Sequence, residues 1–75
     1  MKSLLNVKIN NCYKIKEINK DLPIPVYKRL LELGITPGNV VALLVKNKVA
    51  KSGIIRVWGS MISLDYYILS CIGVE

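Results

Sequence analysis

Leu30-Leu31-Glu32-Leu33-Gly34-Ile35-Thr36-Pro37-Gly38-Asn39-Val40-Val41 decides how this chain folds, because it holds the end of a helix, a reversal and the start of a strand. Gly34 can enter the left-handed conformation at a helix C′ position without the penalty a β-carbon brings. Ile35 can then fold back on the last turn as the apolar contact of a Schellman motif. Thr36-Pro37-Gly38-Asn39 reads as a type II turn, with Pro fixing φ at its second position and Gly supplying positive φ at its third. Backbone geometry thus explains Gly34, Pro37 and Gly38, which are read as structural. Working back, Pro25 suits the first helical position and Val26, Tyr27, Leu30, Leu31 and Leu33 have helical spacing, so a helix is predicted over about residues 25 to 33. Working forward, residues 39 to 46 are nearly continuously apolar and Val-rich, as a central strand covered on both sides requires.

Further out, residues 3 to 9 alternate, with Leu5, Val7 and Ile9 on one side and Asn6 and Lys8 on the other, which predicts a first strand. Asn10-Asn11 supplies turn chemistry. Cys12–Ile18 resumes as a second strand with Tyr13 and Ile15 inward, and a bulge at Glu17-Ile18 is needed to keep Ile18 on the apolar face. Beyond the central strand, residues 47 to 53 read as a mobile polar connection, residues 53 to 58 as a strand, and Gly59-Ser60 as a hairpin turn into residues 61 to 64. Asp65 caps a single helical turn before a last strand over residues 70 to 74. The tally is mainly β: a small SH3-like, partly open barrel of five to six strands, with one short α-helix laying Tyr27, Leu30 and Leu31 over one mouth.

With 75 residues, the chain has room for one domain, residues 1 to 75, around one core. An apolar fraction of 52% argues against disorder despite the charge. The longest apolar run, residues 40 to 45, falls far short of the roughly 20 residues of a membrane helix. The N-terminal residues lack the apolar stretch of a signal peptide, so a cytoplasmic protein with no direct membrane insertion is expected. Cys12 and Cys71 match no metal-ligand spacing and read as two small buried hydrophobes. The net charge of +6 is scattered along the chain, as on a solvated surface that attracts acidic partners.

The residue types needed for catalysis are sparse. Histidine is absent, which removes the usual general base near neutral pH and the commonest transition-metal ligand. Asp21, Glu32 and Asp65 belong to different elements, and no glycine run forms a phosphate loop or dinucleotide fingerprint. No catalytic residue, metal ligand or cofactor is expected, and the chain is not expected to be an enzyme.

A helix ending in Leu-Gly-(apolar)-x-Pro-Gly before a central strand, here Leu33 to Gly38, resembles the hallmark of the FeoA family. Ile55-Arg56-Val57-Trp58-Gly59 leading to Ile62-Ser63-Leu64 is similar to the family's strand, Gly turn and strand, and Cys71-Ile72-Gly73-Val74 to its ending. The chain departs from the pattern at Asn11-Cys12, where the family often has Gly, in the loop before residue 53, which lacks an Asp-Pro element, and at Asp65, where the family often carries Arg. The resemblance implies a small cytoplasmic accessory protein of bacterial ferrous iron uptake. It would dock on the cytosolic part of FeoB, a membrane transporter with a GTP-binding domain, and support its assembly or activity. Similar domains occur at the end of iron-dependent repressors.

For such docking, Lys28 and Arg29 are candidates to pair with an acidic partner, and Tyr27 and Trp58 to serve as aromatic anchors. Tyr27 and Trp58 can equally be core, and one of Tyr66 and Tyr67 must face solvent. A basic small-barrel nucleic-acid-binding module is the alternative, supported by the charge and by Tyr, Trp and Lys on neighbouring strands, although no nucleic acid is expected as partner. A module for Pro-rich peptides would need an aromatic-lined groove, and this chain has no Phe.

Overall fold

Pairing runs β1-β6-β2-β3-β4-β5 across one antiparallel sheet in the computed structural model, which describes residues 2–75. The strands are β1 (Lys2–Ser3), β2 (Cys12–Ile18), β3 (Val40–Asn47), β4 (Ser52–Val57), β5 (Ser60–Asp65) and β6 (Ile72–Val74). Helix α1 spans Ile24–Glu32 and α2 spans Tyr66–Ser70. β1 and β5 stand at the two ends of the order without pairing, so the barrel is unclosed.

One strand turns the corner. The first half of β2 pairs with β3, through Cys12 with Ala42 and Lys14 with Val40. Its second half pairs with β6, through Ile15 with Val74 and Ile18 with Ile72. The register slips between Ile15 and Glu17, which makes Lys16 the extra residue and bends the strand from one half of the sheet to the other. The bulge predicted at Glu17-Ile18 therefore lies slightly earlier, and it does what it was needed for: Ile15 and Ile18 are both buried.

The helix end forms as its residues dictate. Ile35 N–H donates to the Leu30 carbonyl at 2.9 Å and Gly34 N–H to the Leu31 carbonyl at 3.0 Å, the paired bonds of a Schellman cap, with Gly34 at φ +90°. Asn39 N–H closes the turn on the Thr36 carbonyl at 3.1 Å, with Gly38 at φ +97°. The Asn39 side chain ties cap and turn together, because its Nδ2 donates to the Gly34 carbonyl at 2.7 Å and to Thr36 Oγ1 at 2.8 Å. Gly38 N–H then donates to the Ile15 carbonyl, joining this unit to the corner of β2.

Four expectations are corrected. The alternation over residues 3 to 9 does not make a strand: β1 ends at Ser3, and a 3₁₀ turn over Leu4–Asn6 buries Leu4 and Val7, three residues apart, while Ile9 is exposed. The central strand is covered on both sides only at its middle, where Val41, Ala42 and Leu43 are all buried, while Val40 and Val45 are exposed and Leu44 is the extra residue of a second bulge. The connection after β3 is short, and Asn47 Oδ1 organises it by accepting from Val49 and Ala50 N–H at 3.0 Å each. Cys71 is buried but Cys12 is exposed, on the outer face of β2.

At the centre, Leu4, Leu30, Ile35, Leu43, Ile55, Leu69 and Ile72 have essentially no exposed surface. Asp65 Oδ1 accepts from Ile68 N–H at 2.8 Å, so α2 begins at the cap its sequence announces. No helix among the described residues is long and apolar enough to cross a membrane.

Candidate docking surface

Trp58 is the most exposed aromatic side chain, at 77%. Its position follows from register. Val57 pairs with Ser60, which leaves Trp58 and Gly59 as the hairpin's tip, at φ +53° and +79°. Two successive positive φ values make a type I′ turn, the form that matches strand twist. The sequence places the turn at Gly59-Ser60 and Trp58 in the strand, and the structure moves both by one residue. A bulky residue at positive φ is uncommon, and the surroundings hold it there. The indole ring lies on Gly34: a β-carbon built on that glycine would sit 2.6 Å from Trp58 Cδ1. Gly38, Asn39, Val40 and Trp58 line a shallow hollow, in which Val40 is 56% exposed. Helix cap, type II turn and hairpin tip thus converge under one aromatic ring.

The other predicted contact residues spread around the helix. Lys28 and Arg29 are exposed and Tyr27 is half-buried. Tyr27 lines a hollow with Lys20, Leu22 and Ile24. Arg29 belongs to a different groove, between α1 and β5, with Ile62, Leu64 and Ile68. Successive helix positions point about 100° apart, so Tyr27, Lys28 and Arg29 cannot share one face. The structure therefore brings Trp58 together with Val40 rather than with Tyr27, and sets Arg29 beside β5. Val40 and Met61, 72% exposed, are surface apolar groups that pattern reading assigned to strands without a role. Both stand on the same side of the sheet as Arg56, a relation set by strand register that local pattern does not report.

Of the paired tyrosines, Tyr67 is exposed and Tyr66 half-buried. The Tyr67 phenol is raised above its ordinary pKa, chiefly by the charge of the neighbouring Cys71 side chain. Lys2 lies 5.5 Å above the ring of Tyr13, and Lys46 5.8 Å above that of Tyr66. Among the described residues, no group of three or more His, Cys, Asp or Glu side chains comes together to hold a metal ion.

The FeoA domain family model matches residues 2–75. This chain belongs to the FeoA domain family. Solved structures agree on the fold. FeoA of Stenotrophomonas maltophilia, complexed with zinc and described as an SH3 domain protein and a candidate ferrous iron transport activating factor, superposes with a TM-score of 0.85 at 17% identity, covering 100% of this chain and 91% of that one. Iron(II) transport protein A of Clostridium thermocellum gives 0.86 at 16% identity over 99% of this chain, which spans only 44% of that protein's length. The same fold recurs in ScaR with bound zinc, at 0.84 and 20% identity over 100% of this chain and 36% of that one. No curated protein matches the sequence. The FeoA fold is thus an SH3-like, mainly β domain, found alone and within larger proteins.

Proposed function

We propose that this FeoA domain is a cytoplasmic, non-enzymatic docking module of ferrous iron uptake, which binds the cytosolic part of a FeoB-type transporter and supports its assembly or activity. Beyond the family itself, one observation supports this reading: Trp58 is held out at a hairpin tip, on a backbone conformation that costs energy, with Gly34 beneath it and Val40 beside it. An aromatic ring presented to solvent is the kind of group that carries interface energy. Lys28 and Arg29 complement it with positive charge for an acidic partner surface, and Tyr27 adds a second aromatic edge on the far side of the helix.

An NMR titration of the labelled domain with the transporter's soluble cytosolic domain tests this. Shifts at Trp58, Val40 and Arg29 are expected, and Trp58→Ala should weaken binding by roughly 2 kcal/mol, the level of an aromatic hot spot. Absence of shifts with the transporter domain, together with salt-sensitive shifts on adding single-stranded DNA, would replace docking by nucleic-acid binding.

A further inference from the structure

β5 is an uncovered sheet edge of unusual composition. Edge strands in soluble proteins are blunted by Pro, Lys, a bulge or extreme shortness. The other edge, β1, is two residues long. β5 runs six residues, Ser60-Met61-Ile62-Ser63-Leu64-Asp65, in unbroken register with β4, with no Pro, no basic residue and one charge at its end.

The register also says which groups are free. Val57 and Ser60 close the hairpin as a hydrogen-bonded pair, so such pairs recur at Ile55 with Ile62 and at Gly53 with Leu64. Met61 and Ser63 fall at the alternate pairs and turn their N–H and C=O groups outward. Among the described residues, no main-chain hydrogen bond from another element reaches either of them.

Beside this edge runs the open groove of about 420 Å³ in which Val26 and Leu30 of α1, with Leu33 just after it, stand across from Ile62, Leu64 and Ile68. Arg29 is the sole charged residue of its lining. Trp58 lies outside this groove, at the hairpin tip that precedes β5.

We infer that β5 takes up an extended segment of the transporter as an added antiparallel or parallel strand, with the segment's alternate apolar side chains in the groove and an acidic residue on Arg29. This inference rests on the docking reading and gives it a mode. An extended occupant is required because the edge offers donors and acceptors at a two-residue spacing, which a helix, its own groups already bonded, cannot meet. A separate acidic partner fits better than a second copy. The chain's net charge of +6 repels a copy, and β5 itself would bring only Asp65.

Amide hydrogen exchange of the labelled domain, alone and with the transporter's cytosolic domain, decides the matter. Slowed exchange at Met61 and Ser63, with little change at Ile62 and Leu64, whose N–H groups already bond to β4, is the expected result. Ser63→Pro removes one outward N–H at an edge position that tolerates Pro, and should weaken binding about five-fold. Arg29→Glu should weaken it roughly ten-fold, and less at high salt. Undiminished binding with unprotected Met61 and Ser63 amides would overturn strand addition and leave docking standing. No binding at all would overturn docking itself. Protection of the same amides that grows with concentration of the domain alone would assign the edge to a second copy and overturn the partner named here. Should Ser63→Pro not fold, the exchange pattern of the unaltered domain still gives the answer.

Discussion

Substituting Gly34 and Gly38 separately by Ala turns the convergence under Trp58 into a measurable difference. Both glycines have positive φ, +90° and +97°, so each Ala variant carries a similar backbone penalty of about 1 kcal/mol. Their surroundings differ. A β-carbon on Gly38 meets nothing within 4 Å, whereas one on Gly34 would lie 2.6 Å from Trp58 Cδ1 and 3.2 Å from Val57 Cγ1. Displacing packed neighbours costs roughly 1–3 kcal/mol, and the low end applies because the indole can swing into solvent. Gly38→Ala should thus cost about 1 kcal/mol and Gly34→Ala about 2 kcal/mol. In a domain of this size, each kcal/mol lowers Tm by about 4–8 °C. Thermal unfolding followed by circular dichroism reads these losses, and the chain's single Trp gives a second probe, since its fluorescence should shift in Gly34→Ala alone. In a Trp58→Ala background the Gly34→Ala cost should shrink toward that of Gly38→Ala. Equal Tm losses for the two glycine variants in the unaltered background, with unchanged Trp58 emission, would refute the claim that the ring is seated on Gly34.

Other outcomes follow from single groups. Asn39→Ala leaves the Gly34 carbonyl and Thr36 without their side-chain partner and should cost about 1–2 kcal/mol in chemical denaturation. Asp65→Ala removes the cap of α2 at a cost of about 1 kcal/mol, and Asp65→Asn should recover most of it. Leu43→Ala empties a fully buried position and should cost about 2–5 kcal/mol, the largest single loss among these. The Tyr67 phenol should ionise above the ordinary tyrosine range by ultraviolet titration, and Cys71→Ala should lower its pKa. Because the folded-state value is the higher one, this contribution to stability is complete below the unfolded phenol's pKa and fades as pH rises through the folded one.

Local backbone chemistry made the helix end legible. Gly34, Pro37 and Gly38 each answer a requirement set within a few residues, and all three stand where pattern reading puts them. β2 was equally clear, because its alternation persists up to the bulge. Residues 3 to 9 misled, since Leu4 and Val7 share a burial side at a spacing of three, and the weaker alternation of Leu5, Val7 and Ile9 competes with it. What covers Leu4 and Val7 is decided by distant parts of the chain, which no local period reports. Trp58 failed for a similar reason: the partners of Ile55 and Ile62 set the hairpin's register, and a Trp at positive φ runs against its own preference. Of the candidate surface, charge and exposure at Lys28 and Arg29 were readable. The gathering of Trp58 with Val40, and the separation of Tyr27 from Arg29, needed the three-dimensional arrangement.

The placement of β6 carries a consequence for how the domain comes into being. Residues 72 to 74 are synthesised after every other strand of the sheet, yet among the described residues they form the ladder that holds β1 and the one that holds the second half of β2. On the ribosome, the β3 to β5 meander can assemble early while Ile15 and Ile18 still lack their neighbours. The corner at Lys16 is then sealed in a late step joining sequence-distant ends, the kind of contact that slows folding. A nascent chain in this state exposes Leu4, Ile15 and Ile18 together, so the interval before β6 emerges is when this domain is most open to chaperones and to aggregation.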